Sequence, residues 1–288
     1  PKPSSAASDV YKRQALQGGM EGGLAAAELL VGDGNPSGKT VDTFAKSLDD
    51  YPSTYNFHES RDYVDYTDDI YVGYRYFETI PGAAEKVVYP FGYGLSYTSF
   101  DVETVSAGVV NSNCTSETNK LYAKVRVTNT GKFSGKEVVQ VYIAKPQGKL
   151  GKPAKELVAF EKTRELQPGE SQLMILTWEI NDMASYDDLG KVKKSAYVLE
   201  AGSYDIYVGT SVRDVTKADY SYILNHDVIT EQLSAKLVPT SLPKRMLADG
   251  SYEALPQSEP VDTDYSAIGN IDPSLTEGVA PCQRAIPY

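Results

Sequence analysis

Between residues 99 and 225 the chain alternates apolar and polar positions in short bursts. Leu121, Ala123, Val125 and Val127 interleave with Tyr122, Lys124, Arg126 and Thr128. Side chains along a strand point to opposite faces in turn, so this pattern predicts a half-buried strand. The turn Asn129-Thr130-Gly131 follows, and Val138-Val139-Gln140-Val141-Tyr142-Ile143 predicts the next strand. Stretches 100–105, 157–162, 171–180, 196–199 and 204–209 read the same way. Gln167-Pro168-Gly169-Glu170 and Glu200-Ala201-Gly202-Ser203 supply turn chemistry between them. About seven strands over about a hundred residues predict a two-sheet β-sandwich. Trp178 lies on an apolar strand and is expected in its core.

The flanks follow other rhythms. Residues 15–44 read as glycine turn, helix, turn and strand. Leu24, Ala27 and Leu30, with Ala26 and Leu29 beside them, form an apolar helical face. Gly32 or Gly34 ends that helix, Asn35-Pro36-Ser37-Gly38 turns the chain, and Thr40 to Phe44 suits a short strand. One helix and one strand bury no core, so these elements are expected to be the last pieces of a larger α/β domain. Residues 45–98 are loop-rich, acidic and dense in tyrosine, as in a segment that wraps a neighbour. Beyond the sandwich, Ile229, Leu233 and Leu237 predict one face of a short helical tail over residues 226–256. The remainder to Tyr288 is polar, Pro-punctuated and linker-like. The expected fold is therefore mainly β: a sandwich preceded by a partial α/β domain (15–98) and followed by a helical tail and linker (226–288). Residues 1–14 fit none of this. Ser4 to Gln14 back-translates into what resembles a transposon-type sequencing adapter, so the segment is expected to be an assembly artefact.

Composition narrows the function classes. A formal charge of −11 and a pI near 4.8 argue against nucleic acid and anionic membranes, which want basic patches. No apolar run reaches the length of a membrane span. Cys114 and Cys282 give no disulfide framework, and sparse cysteine fits a reducing compartment. Asn113-Cys114-Thr115 matches a glycosylation pattern and reads as a chance match in a polar loop.

Several motifs invite chemistry. Asp33-Gly34-Asn35-Pro36-Ser37-Gly38-Lys39-Thr40 imitates a phosphate-binding loop, but the required first glycine falls on Asp33, which would repel phosphate. The loop Gly18-Gly19-Met20-Glu21-Gly22-Gly23 could face an anion at a helix N-terminus, yet Glu21 is placed to complement the helix dipole instead. Glu21, Glu28, Asp33 and Glu59 are the tempting carboxylates. Tyr71-Val72-Gly73-Tyr74-Arg75-Tyr76-Phe77 could stack on sugar rings; interface packing, with Arg75 paired to an aspartate, is the expected role. His58 and His226 lack metal-ligand spacing.

The run Val88-Tyr89-Pro90-Phe91-Gly92-Tyr93-Gly94-Leu95-Ser96-Tyr97-Thr98-Ser99-Phe100 suits a domain junction. It resembles the end of the second catalytic domain of glycoside hydrolase family 3, the β-glucosidase family, just before a fibronectin type III-like domain. Gly19-Met20-Glu21-Gly22-Gly23, Gly32-Asp33-Gly34-Asn35-Pro36-Ser37-Gly38-Lys39 and Ile70-Tyr71-Val72-Gly73-Tyr74-Arg75-Tyr76-Phe77 fit the same family, in its order. The resemblance implies a fragment of a glycosidase, the full enzyme hydrolysing terminal β-D-glucosyl residues with retention and the fragment alone being inactive. Its partners would be a β-glucoside or oligosaccharide and a barrel domain absent from this sequence. It implies no cofactor, a cytoplasmic setting and a bacterial source. The family's nucleophile and acid/base motifs have no counterpart here, so no catalytic or metal-binding residue is assigned and the substrate-binding residues stay open. Gln232 to Thr240 and Lys244 to Gly250 look like the bridge of circularly permuted members, in which the barrel follows the sandwich. A non-catalytic sandwich that binds carbohydrate or protein is the alternative.

Overall fold

The computed structural model describes residues 19–58, 60, 63–110, 119–234 and 242–256. Its elements in chain order are α1 (Gly22–Val31), β1 (Phe44–Ala45), α2 (Tyr74–Phe77), β2 (Val87–Tyr89), β3 (Phe100–Val109), β4 (Lys120–Asn129) and β5 (Val138–Ala144). There follow β6 (Glu156–Lys162), β7 (Ser171–Glu179), β8 (Ser185–Asp187), β9 (Ala196–Leu199), β10 (Gly202–Gly209), β11 (Val215–Leu224), β12 (Val228–Gln232), β13 (Lys244–Met246) and β14 (Tyr252–Ala254).

Two antiparallel sheets, β3-β4-β7 and β11-β10-β5-β6, form the sandwich. The alternation of β4 puts Leu121, Ala123, Val125 and Val127 on the inner face, all fully buried. They share one core with Met174, Leu176 and Trp178 of β7, Val139, Val141 and Ile143 of β5, and Tyr204, Ile206 and Val208 of β10. Trp178 thus sits where expected. Strand β11, which pairs with β10, was not anticipated; its half-buried tyrosines blur the alternation.

Strand β5 is buried on both faces. Its odd-numbered residues meet the core, while Gln140 and Tyr142 face the segment before the sandwich. A strand covered on both sides reads as a near-continuous apolar run, as 138–143 does apart from Gln140.

Two expectations need correction. The tail is not helical among the described residues: β12 pairs with β9 in a third sheet, β12-β9-β8, and β13 and β14 form a hairpin. β-Branched Val228, Ile229 and Thr230 prefer an extended chain, and a bulge between Ile229 and Glu231 breaks the strand's alternation. Leu237 lies outside the described residues. Strand β1 begins only at Phe44; Thr40 instead brackets the junction, its N–H donating to the Tyr93 carbonyl at 2.8 Å and its carbonyl accepting from Gly92 N–H at 2.8 Å. Helix α1 does end at Gly32 in the left-handed conformation, but none of its residues is buried, and Leu24 and Leu30 are exposed.

Candidate functional site

The most elaborate polar and aromatic constellation lies where the tyrosine-rich segment meets β5. Phe91 stacks on Tyr74 at 4.6 Å, and Tyr74 meets the fully buried Tyr142 edge-on at 6.1 Å. The Tyr142 hydroxyl donates to Gln140 Oε1, and Gln140 Nε2 donates to the Thr210 carbonyl at 3.1 Å. Gln140 is thereby fixed. Gly92 packs against it with φ +78°, and a Cβ there would sit 2.5 Å from Gln140 Oε1. Gly94 is needed for the same reason: its Cβ would stand 2.5 Å from the Gly38 carbonyl oxygen. The two glycines of the junction therefore allow two close backbone approaches.

The phosphate-loop lookalike is built into this seam. Asn35 Oδ1 accepts from Tyr97 N–H at 2.8 Å and from the Ser96 hydroxyl at 3.0 Å, while Nδ2 donates to the Ser134 carbonyl at 2.8 Å. Lys39 pairs with Glu137 at 2.8 Å, both side chains largely shielded from water. A lysine so engaged holds a contact across the seam rather than a phosphate. The Tyr97 hydroxyl donates to the Leu29 carbonyl at 2.6 Å, tying α1 to the junction.

Further contacts extend the seam. Leu157 N–H donates to the Tyr74 hydroxyl at 3.0 Å, and Ala154 N–H donates to Thr79 Oγ1 at 2.8 Å. Arg213 Nε pairs with Glu78 at 2.8 Å. The hairpin β13-β14 closes the far side. Met246 N–H donates to the Thr67 carbonyl at 2.8 Å, and the Met246 side chain is buried. Arg245 forks onto Asp188 at 2.9 and 3.0 Å and onto Glu253 at 2.7 Å, with Asp69 at 3.8 Å. Burial works against the Arg245 charge, but the hydrogen bonds it donates to Glu253 and Asp188 outweigh it and hold its pKa above the ordinary value. Burial pushes Asp69 up, with Arg245 opposing, and pushes the Tyr71 hydroxyl up to about 12.

The described carboxylates among those singled out in the sequence do not assemble into a site. Glu21, Glu28 and Asp33 are exposed along α1 and its exit, and Glu59 lies outside the described residues. The expected Arg75–aspartate pair is absent; Arg75 forms no ion pair among the described residues. Burial lowers the pKa of Lys145 despite its pairing with Glu156. His58 rests on the Phe57 ring, and His226 is exposed. Among the described residues no group of three or more His, Cys, Asp or Glu is placed to hold a metal ion. No helix among them is long and apolar enough to cross a membrane.

Sequence reasoning missed Asp187, whose carboxylate is buried in the β8–β9 loop. It accepts from Gly190 and Lys191 N–H at 2.7 and 3.0 Å, and from Val192 and Lys193 N–H at 2.6 and 2.7 Å. Burial opposes its charge, yet the four donors hold its pKa below the ordinary value. The Asp-Asp-Leu-Gly stretch at 187–190 signals a turn, but nothing in it marks a fully caged carboxylate.

An α/β unit docked by glycines and tyrosines onto a doubly buried sandwich strand places the chain in the class of multidomain proteins whose units share a packed seam. Known proteins agree. The Glycosyl hydrolase family 3 C-terminal domain matches residues 14–97, and a Fibronectin type III-like domain matches residues 137–212. Beta-glucosidase A of Butyrivibrio fibrisolvens is 63% identical over 262 residues, covering 88% of this chain and 31% of that protein. A beta-glucosidase of Ruminococcus albus is 44% identical over 257 residues, covering 88% and 26%. Among solved structures, a beta-glucosidase from Paenibacillus barengoltzii matches with a TM-score of 0.72 at 47% identity, over 83% of this chain and 27% of that one. Beta-glucosidase 3B from Thermotoga neapolitana matches at 0.62 and 39%, over 73% and 27%. The chain belongs to glycoside hydrolase family 3, and it spans less than a third of the length of these relatives.

Proposed function

We propose that the whole protein is a β-glucosidase that hydrolyses terminal β-D-glucosidic bonds with retention, and that this chain is part of its scaffold. The supporting observation is the 63% identity to beta-glucosidase A over 88% of the chain. Residues 15–98 are the end of the family's α/β domain, 99–225 the fibronectin type III-like domain, and 226–288 a connecting segment. Retaining hydrolysis needs two carboxyl groups about 5–5.5 Å apart across the scissile bond. Among the described residues the carboxylates of α1 are dispersed and exposed, and Glu78, Glu137 and Glu253 of the seam are occupied in ion pairs, which supports placing the catalytic pair outside this chain. The seam sets the angle at which the sandwich buttresses the catalytic domains. Assaying the whole protein and this chain side by side on an aryl β-glucoside tests the reading. Turnover by the first and none by the second is the expected result; an inactive whole protein sinks it.

The barrel follows the sandwich in chain order, as the resemblance of 232–250 to the bridge of permuted members suggests. Reading the gene through the codon for Tyr288 tests this, and a gene without barrel sequence downstream refutes it. The acidic charge and bacterial relatives support a neutral glycoside as substrate and a bacterial source, and the two cysteines support a cytoplasmic location. Cell fractionation with an antibody to the sandwich checks the location; recovery outside the cytoplasm contradicts it.

A further inference from the structure

The outer face of the sheet β12-β9-β8 carries aromatic residues that no core contact requires. Tyr186 of β8 stands directly across from Tyr197 of β9, and Glu231 of β12 pairs with Tyr197 on its other side. Neighbours across an antiparallel sheet share a face, so the three form one row. The neighbouring positions Asp187, Ala196 and Val198 are buried, while Tyr186 and Tyr197 remain 40% and 38% exposed. Their rings lie 5.3 Å apart at 53°.

A cavity of about 310 Å³ opens beside this row, lined by Asn181, Asp182, Ala184, Tyr197, Thr230 and Glu231. That volume is at the low end for small-ligand sites and suits one or two sugar rings. The Asn181, Asp182 and Glu231 side chains have no hydrogen-bond or ion-pair partner among the described residues, whereas Thr230 Oγ1 donates to the Tyr197 carbonyl at 3.3 Å. The platform is also stiff. The caged Asp187 follows Tyr186 directly, and Asp188 is gripped by Arg245. A pre-ordered surface loses little entropy on binding.

We propose that this face is a non-catalytic binding site for a neutral oligosaccharide. The tyrosine faces take the C–H faces of successive sugar rings, and Asn181, Asp182 and Glu231 accept or share hydrogen bonds with ring hydroxyls. The two lining carboxylates and the −11 net charge exclude acidic polymers. Choosing a β-glucan as the probe rests on the β-glucosidase reading above; the site itself rests on the tyrosine row and the cavity.

The test is affinity electrophoresis of the full 288-residue chain in gels containing a soluble mixed-linkage β-glucan, followed by calorimetry with cellotetraose. The wild type should be retarded. Y197A and Y186A should each weaken binding about tenfold or more, and Y197F should keep it, since the ring and not the hydroxyl stacks. N181A, on an exposed turn, reports on the same site should a tyrosine variant fail to fold. Binding should be unchanged between low and high salt. Absence of retardation, retardation untouched by these substitutions, or salt-sensitive binding of a basic peptide in place of the glucan each overturns the proposal. The two readings separate cleanly. A whole enzyme that keeps kcat on an aryl glucoside with Y197A, while this chain shows no glucan binding, leaves the proposed function standing without this site. Glucan binding by an inactive whole protein does the reverse.

Discussion

Replacing Asn35 by alanine should loosen the docking of the α/β unit without melting the sandwich. Asn35 makes three hydrogen bonds to three places: Tyr97 N–H and the Ser96 hydroxyl in the junction, and the Ser134 carbonyl in the sandwich. Each bond contributes about 1 kcal/mol net, and its half-buried partners can be rehydrated once the unit shifts, so the expected cost is about 2–3 kcal/mol. A second variant, N35D, keeps both acceptor bonds, loses the donor, and sets a carboxylate against the Ser134 carbonyl; it should cost about 1–3 kcal/mol. Hydrogen exchange is the assay, because it reads local opening. At tenfold per 1.4 kcal/mol, the Tyr97 amide in N35A should exchange about thirty- to a hundredfold faster. Amides of β4, paired between β3 and β7, should keep wild-type protection. Unchanged Tyr97 exchange in N35A would refute the seam, and uniform loss of protection across both units would show that they unfold as one.

Three other perturbations probe the same framework. G92A combines a left-handed backbone with a Cβ 2.5 Å from the fixed Gln140 Oε1 and should cost about 2–4 kcal/mol in chemical denaturation; a change below about 0.5 kcal/mol would contradict the close approach. Asp187 has a depressed folded pKa, so its stabilisation is complete above the unfolded carboxylate value of about 4 and disappears as pH falls through the lower folded value. D187N should be less stable than wild type by about 2–4 kcal/mol at neutral pH, and the gap should shrink in acid; a pH-independent gap would argue against the caged carboxylate. R245M should free the β13-β14 hairpin at a cost of about 2–3 kcal/mol, seen as new proteolytic cleavage near Met246 with β4 and β5 still protected; an intact hairpin would mean that Met246 burial alone holds it.

Much of the fold can be read from the chain because burial is periodic. The strict alternation of β4 and the apolar run of β5, interrupted only by Gln140, each follow from how many faces the strand buries. Strand β12 misleads because Ile229 and Leu233 fit period 3.6, while a bulge between Ile229 and Glu231 breaks the period-2 alternation that would mark a strand. The apolar face of α1 is legible as a helix, but it meets no core among the described residues. The junction glycines are visible as glycines; that Gly92 makes room for Gln140 and Gly94 for Gly38 depends on contacts 48 and 56 residues distant, which no local pattern encodes. The tyrosine row is equally hidden, since Tyr186 and Tyr197 become neighbours only through the β8–β9 pairing.

The most direct test of the central claim is nitrophenol release from an aryl β-glucoside, measured at equal molar concentration for the whole protein and for this chain. Turnover by the whole protein with none by the chain is the predicted outcome. Turnover by the chain alone, abolished by a substitution such as D182N or E231Q within residues 15–288, would contradict it, because the catalytic carboxylates would then lie in what is here described as scaffold.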